Sequence, residues 1–147
     1  VAFGLRIRTP ILKQVILKSK STPILASAEG RTIGNAIGQS YGLLNSRAFS
    51  EFMKIVRKSK YKYDIRPMAQ IHDAGYFAIK ANTDVIKFVN DTYIKCMEWQ
   101  EDPNISDPDI KLGGELDIYY PSWAEPCTLD NYISKQEIVN KFKEHIQ

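Results

Sequence analysis

Two short runs of extended character meet at a tight bend within residues 65–79, and this arrangement narrows the possible folds more than any other feature of the chain. Ile65, Ala69 and Ile71 alternate with Met68, Gln70 and His72, and Tyr76-Phe77-Ala78-Ile79 follows the bend. The spacing predicts a strand, a turn with Gly75, and a second strand. Asp73 then stands at the hairpin tip. A lone carboxylate so placed offers hard oxygen donors to a divalent cation. The other reading is an Asx turn, in which the aspartate accepts a hydrogen bond from its own backbone.

Helical periodicity flanks the hairpin on both sides. From about Glu29 to Arg57, Ile33, Ile37, Tyr41, Leu44, Ala48, Phe52 and Ile55 recur at steps of three and four, which predicts one long helix. Residues 58–66 form a basic, tyrosine-bearing loop. After the hairpin, Asn82-Thr83-Asp84 supplies an N-cap and a first-turn acid, and Ile86, Val89, Tyr93 and Met97 make the apolar stripe of a second helix.

The ends of the chain are read in the same way. Residues 1–18 predict two short strands or a hairpin, with Pro10 at an edge or turn, and Lys18 to Ala28 a polar connector. Glu101 to Asp109 is a loop rich in Asp, Asn, Ser and Pro. Ile110 to Tyr120 predicts a strand, bulged at Gly113-Gly114 and ended by Pro121. A last helix over 134–146 carries Ile138, Val139, Phe142 and Ile146. A hairpin between helices, in place of alternating parallel units, makes the class α+β, with an antiparallel sheet packed with long helices.

At 147 residues and 44% hydrophobic, the chain can bury a core of its own. No apolar run reaches the length of a membrane helix, and Val1-Ala2-Phe3-Gly4 lacks the order of a signal peptide, so the expectation is a soluble, cytoplasmic protein with no membrane partner. Cys96 and Cys127 are too few for a zinc cluster and read as buried thiols. The chain opens without an initiator Met, inside an apolar segment, as a piece of something longer would. Charge is segregated: residues 1–67 hold 13 Lys and Arg against 3 acids (+10), and residues 68–147 hold 7 against 14 (−7). A basic half of this kind fits a surface that meets phosphates, although Lys54, Arg57, Lys58, Lys60 and Lys62 also serve simply to solvate a helix end and loop.

Arg31, Asn35 and Gln39 follow at steps of four and form one polar row. Beside it runs Gly30, Gly34, Gly38 and Gly42, half of the eight glycines in the chain. Inside a helix these glycines cost about 2–4 kcal/mol relative to alanine. A bare glycine strip lets another backbone approach closely, and a polar row at its edge can contact sugars, phosphates or minor-groove acceptors. Seating a neighbouring helix is the other use of such a strip.

Taken together, Glu29-Gly30-Arg31-Thr32-Ile33-Gly34-Asn35-Ala36-Ile37-Gly38-Gln39 and, some thirty residues on, Gln70-Ile71-His72-Asp73 resemble the C-terminal part of a family-A DNA polymerase. In that family an Arg-x-x-x-Asn-x-x-x-Gln row faces the primer-template minor groove, and a Gln-x-His-Asp hairpin forms palm motif C. Gly4 to Pro10 is similar to the basic hairpin before the row, and Gly114 to Trp123 to the closing strand with its Trp. The resemblance covers about residues 1–126 as palm and fingers portion, leaving 127–147 as a helical extension. It implies that Asp73 coordinates the catalytic Mg2+ ions, that His72 contacts the terminal primer nucleotide with Gln70 nearby, and that Arg31, Asn35 and Gln39 hold the duplex. The implied partners are primer-template DNA, dNTP and the remainder of the polymerase.

Two departures shape this expectation. Ala74 stands where the family usually has Glu after the motif C Asp. The motif A Asp and the Lys-bearing fingers helix are missing as well; Asp117-Ile118-Tyr119 reads as strand, and Asn35 occupies the lysine position of a faint fingers-helix echo. The sequence therefore predicts a fragment or split subunit, inactive alone. The alternatives are a non-catalytic duplex-DNA-binding module and a small protein-interaction domain.

Overall fold

The computed structural model describes residues 10, 22–38, 42–103 and 105–145. The chain divides into two compact units, Val1–Leu43 and Leu44–Gln147. In the first unit the described structure is α1, Thr22–Gly38. The helix begins earlier than the sequence predicts, taking in much of the expected connector. Pro23 explains the start: it lacks an N–H but falls in the first turn, where none is needed. Pro10 is helical, which its fixed φ allows, and not at a strand edge. The expected strands of residues 1–18 otherwise lie outside the described residues.

The second unit is α+β. Helix α2, Gly42–Lys58, comes next, and residues 39–41 between α1 and α2 lie outside the described residues. Its buried side is Asn45, Ala48, Phe52, Met53 and Val56. Ile55, expected on that stripe, is 41% exposed, because the stripe advances from Phe52 by four to Val56. Strands β1, Ile65–Ile71, and β2, Ala74–Ile79, pair antiparallel from Ile65↔Ile79 to Ile71↔Ala74. The ladder is irregular between Pro67 and Ala69, where Pro67 has no N–H to give.

Helix α3, Thr83–Met97, starts as predicted: Asn82 Oδ1 accepts hydrogen bonds from the backbone N–H of Asp84 (2.8 Å) and Val85 (3.4 Å). Its Val85, Val89 and Tyr93 pack with Ala48, Phe52, Val56 and Ile65 in one core. A second core holds Ile86, Cys127, Leu129, Ile133 and Ile138, with Ile79 and Leu116 packing against both.

The strand expected over 110–120 is shorter, Leu116–Tyr119 (β3), and it pairs antiparallel with β4, Pro126–Leu129, which the sequence reading missed. No bulge forms at Gly113-Gly114, because residues 110–115 do not join the ladder. The signal for β4 was a short alternation: Cys127 and Leu129 are buried, and Pro126 and Thr128 are exposed. Helix α4, Lys135–His145, is opened by a reciprocal cap in which Ser134 N and Oγ both donate to Glu137 Oε2 (3.0 and 2.6 Å) and Glu137 N donates to Ser134 Oγ (3.3 Å). Lys135–Asp84 (2.6 Å) and Lys141–Asp130 (2.8 Å) ion pairs flank it, and Asn90 Nδ2 donates to Asp130 O at 3.1 Å. Residues beyond 127 thus share a core with α3.

Candidate metal and nucleic-acid site

The β1–β2 hairpin closes through a two-residue loop, His72-Asp73, with Ile71 and Ala74 paired on either side. Gly75 is not in the turn as predicted. It pairs with Gln70 inside the ladder. The turn is tight because His72 takes the left-handed backbone, φ 53°, a conformation a non-glycine residue adopts at a cost of roughly 1 kcal/mol. Glycine at 75 has a different reason. A Cβ there would lie 2.9 Å from Phe49 Cδ2 and closer still to the Tyr93 hydroxyl, so the strand backbone passes directly against two rings of the core.

Asp73 and His72 are both exposed at the tip. Among the described residues, the Asp73 carboxylate has no hydrogen-bond or ion-pair partner. The Asx turn weighed for it does not form. Asp107 shows what such a turn looks like in this chain: its Oδ1 accepts from the backbone N–H of Asp109 (2.8 Å) and Ile110 (2.9 Å), and those bonds hold its carboxyl below the usual range. Gln70 is fixed differently, its Nε2 donating to Ser46 Oγ of α2 at 2.8 Å. The strand leading to His72 and Asp73 is therefore tied to the helix behind it.

Beneath the hairpin, Tyr93 donates to Asn45 Oδ1 at 3.3 Å, and burial pushes the Tyr93 phenol up to about 12. Phe77 stacks on Phe49 with ring centroids 4.8 Å apart and meets Tyr93 edge-on at 5.2 Å. On the opposite face of β2, Tyr76 stacks on Trp123, which in turn stacks on Tyr119, with centroids 5.3 and 4.7 Å apart. Packing on both faces holds the tip on a rigid support. Among the described residues, no group of three or more His, Cys, Asp and Glu side chains is gathered to hold a metal. Asp117 lies in β3, as read, and accepts from Thr128 Oγ1 at 2.6 Å.

No family model, curated protein or solved structure matches the chain.

In the first unit, Arg31 and Asn35 are exposed on α1, one turn apart. Gln39, the third member of the row, lies outside the described residues. Among the described residues, nothing approaches within 4 Å of a Cβ built on Gly30, Gly34, Gly38 or Gly42. No described neighbour is seated on that strip. Gln70, His72 and Asp73 share one hairpin, and Arg31 and Asn35 share one helix of the other unit. Sequence reasoning placed Tyr93 on the core stripe but missed its bond to Asn45, and it missed Asn45 and Ser46 as supports. The small residue at 75 was the available signal, misread as turn chemistry.

Proposed function

We propose that this chain is the C-terminal palm and DNA-facing portion of a family-A DNA polymerase, contributing one carboxylate to a two-metal site for deoxynucleotidyl transfer. The observation that carries the reading is Asp73: solvent-facing at the tip of a braced hairpin, directly after His72, and without a partner among the described residues. A carboxylate held in this way suits Mg2+, which favours hard oxygen ligands and keeps open positions for phosphate and water. When bound, the metal pair lowers the pKa of the primer 3′-hydroxyl and offsets charge on the transferring phosphate.

In this reading Asp73 is the chain's metal ligand. His72, beside it, contacts the terminal primer nucleotide. Gln70, two residues before His72, keeps its amide nitrogen on Ser46. Arg31, Asn35 and Gln39 hold the minor groove, with the open glycine strip admitting the sugar-phosphate backbone. The second carboxylate and the lysine for the incoming nucleotide come from residues outside this sequence. Primer extension by the chain mixed with a polypeptide carrying those residues tests the proposal. Asp73→Asn is expected to lower the rate on the order of a hundredfold or more. A rate within a few-fold of the unsubstituted chain removes Asp73 from the metal site.

Ala74 favours a second reading, a duplex-holding module without catalysis, since it supplies a methyl group where the family has an acid. That module binds duplex DNA in a salt-dependent manner, weakens on Arg31→Ala, and extends no primer with any complement.

A further inference from the structure

At the base of the hairpin, roughly 20 Å from Asp73 at about 3.3 Å per strand residue, the chain turns from α2 into β1 through Ser59-Lys60-Tyr61-Lys62-Tyr63-Asp64. This turn is ordered by its own bonds. Ser59 N donates to Val56 O (3.0 Å), Tyr61 N to Ser59 Oγ (3.1 Å), Asp64 N to Tyr61 O (2.9 Å) and Lys80 N to Asp64 O (2.8 Å). Tyr61 anchors it, packing on Phe88 with ring centroids 4.9 Å apart. Tyr63 does the opposite: it is 73% exposed and meets no other aromatic ring among the described residues.

Arg57, Lys58, Lys60, Lys62 and Arg66 lie within ten residues of chain about this turn, all exposed and none ion-paired among the described residues, with Lys60 Nζ 5.0 Å from the centroid of Tyr61. The acids close by are already engaged: Glu51 with Lys54 at 2.7 Å, Asp64 with Lys80 at 3.7 Å, and Asp84 with Lys135 at 2.6 Å. Lys62 Nζ lies 4.8 Å from the centroid of Tyr63, so a cation sits against the exposed ring. Uncompensated positive charge interleaved with an exposed aromatic face on a fixed backbone matches the chemistry of a strand with free bases and a phosphate backbone. Duplex DNA keeps its bases stacked and offers the ring nothing.

We propose that the 59–64 turn, with the helix end and strand start that flank it, is a binding site for single-stranded nucleic acid, with Tyr63 stacking on a base and the exposed Lys and Arg side chains of residues 57–66 engaging the flanking phosphates. The site is separate from the hairpin tip and does not depend on the polymerase reading.

Fluorescence anisotropy with a labelled 12-nucleotide oligo(dT), titrated with the full 147-residue chain, tests it. Tyr63→Ala is expected to weaken binding about 5- to 150-fold, the range for loss of one base–aromatic stack, and Tyr63→Phe to retain it. Replacing Lys60 and Lys62 by Ala should flatten the dependence of log affinity on log salt by about 1.4, or roughly 0.7 for each phosphate no longer neutralised. Three results overturn the proposal: unchanged affinity on Tyr63→Ala, equal loss of a 12-base-pair duplex on that substitution, or displacement of the oligonucleotide by polyglutamate as readily as by unlabelled oligo(dT). The first and third mean a general polyanion surface. Because Tyr63 is exposed and outside both cores, its variants report binding and not folding.

Discussion

Gln70 Nε2 donates to Ser46 Oγ at 2.8 Å, which ties the outgoing half of β1 to the first turns of α2, two residues before the hairpin loop. The bond is exposed, so its loss is worth little to global stability. Ser46→Ala should lower unfolding free energy by about 0.5–1 kcal/mol in urea, the net value of one neutral hydrogen bond. Hydrogen exchange at Ile71 and Ala74 should rise by a larger factor than exchange in α3, because the bond restrains the tip.

Gly75 and Gly34 are expected to respond to alanine in opposite senses. At 75 the new methyl meets Phe49 and the Tyr93 hydroxyl, both held in the core, so Gly75→Ala should destabilise by about 1–3 kcal/mol in urea unfolding. At 34 the methyl has open space among the described residues, so Gly34→Ala should stabilise α1 by about 0.5–1 kcal/mol, read by circular dichroism on heating. If the strip admits a DNA backbone, that same gain in helix stability comes with weaker duplex binding.

Tyr93 makes the fold sensitive to alkali. Burial first, and then the neighbouring Cys96, raise its phenol from 10.0 to about 12. The folded state therefore holds a proton that the unfolded chain releases earlier, so this contribution is complete below pH 10 and is lost as pH rises from 10 toward 12. The urea midpoint should fall across that window, and less so in Tyr93→Phe. The comparison with the variant separates Tyr93 from Tyr132, which its hydrogen bond to Glu98 also pushes up to about 12.

Asp73 and His72 should tolerate substitution without loss of fold. Asp73→Asn breaks no bond formed among the described residues, and its stability should stay within about 0.5 kcal/mol of the parent. His72→Gly relieves the left-handed backbone at φ 53° and should leave the hairpin at least as stable in hydrogen exchange. A large unfolding effect from either would mean that the tip is a structural element, and would count against reserving Asp73 for a ligand.

Local chemistry explains where the sequence was legible. Asn82 declared the start of α3 because an Asx side chain satisfies free N–H groups wherever a helix begins, and the hairpin declared itself because alternation and a bend are properties of neighbouring residues. The α+β class followed. The misreadings share one cause. Whether Ile55 or Val56 faces inward, whether 110–115 joins a ladder, and why residue 75 is glycine depend on elements distant in the chain.

The sequence by itself determined a helix–hairpin–helix order, a carboxylate at the bend, and a basic N-terminal half, since each rests on periodicity or charge that a short window contains. Only the tertiary structure decided that Asp73 is left without an Asx turn, that Gln70 is held by Ser46, that Tyr93 and Phe49 press on Gly75, and that Tyr63 faces outward while Tyr61 is anchored on Phe88. Those are relations between segments brought together by burial of the α2, α3 and hairpin side chains, and no local pattern encodes which partner a polar or aromatic group meets once that core has closed.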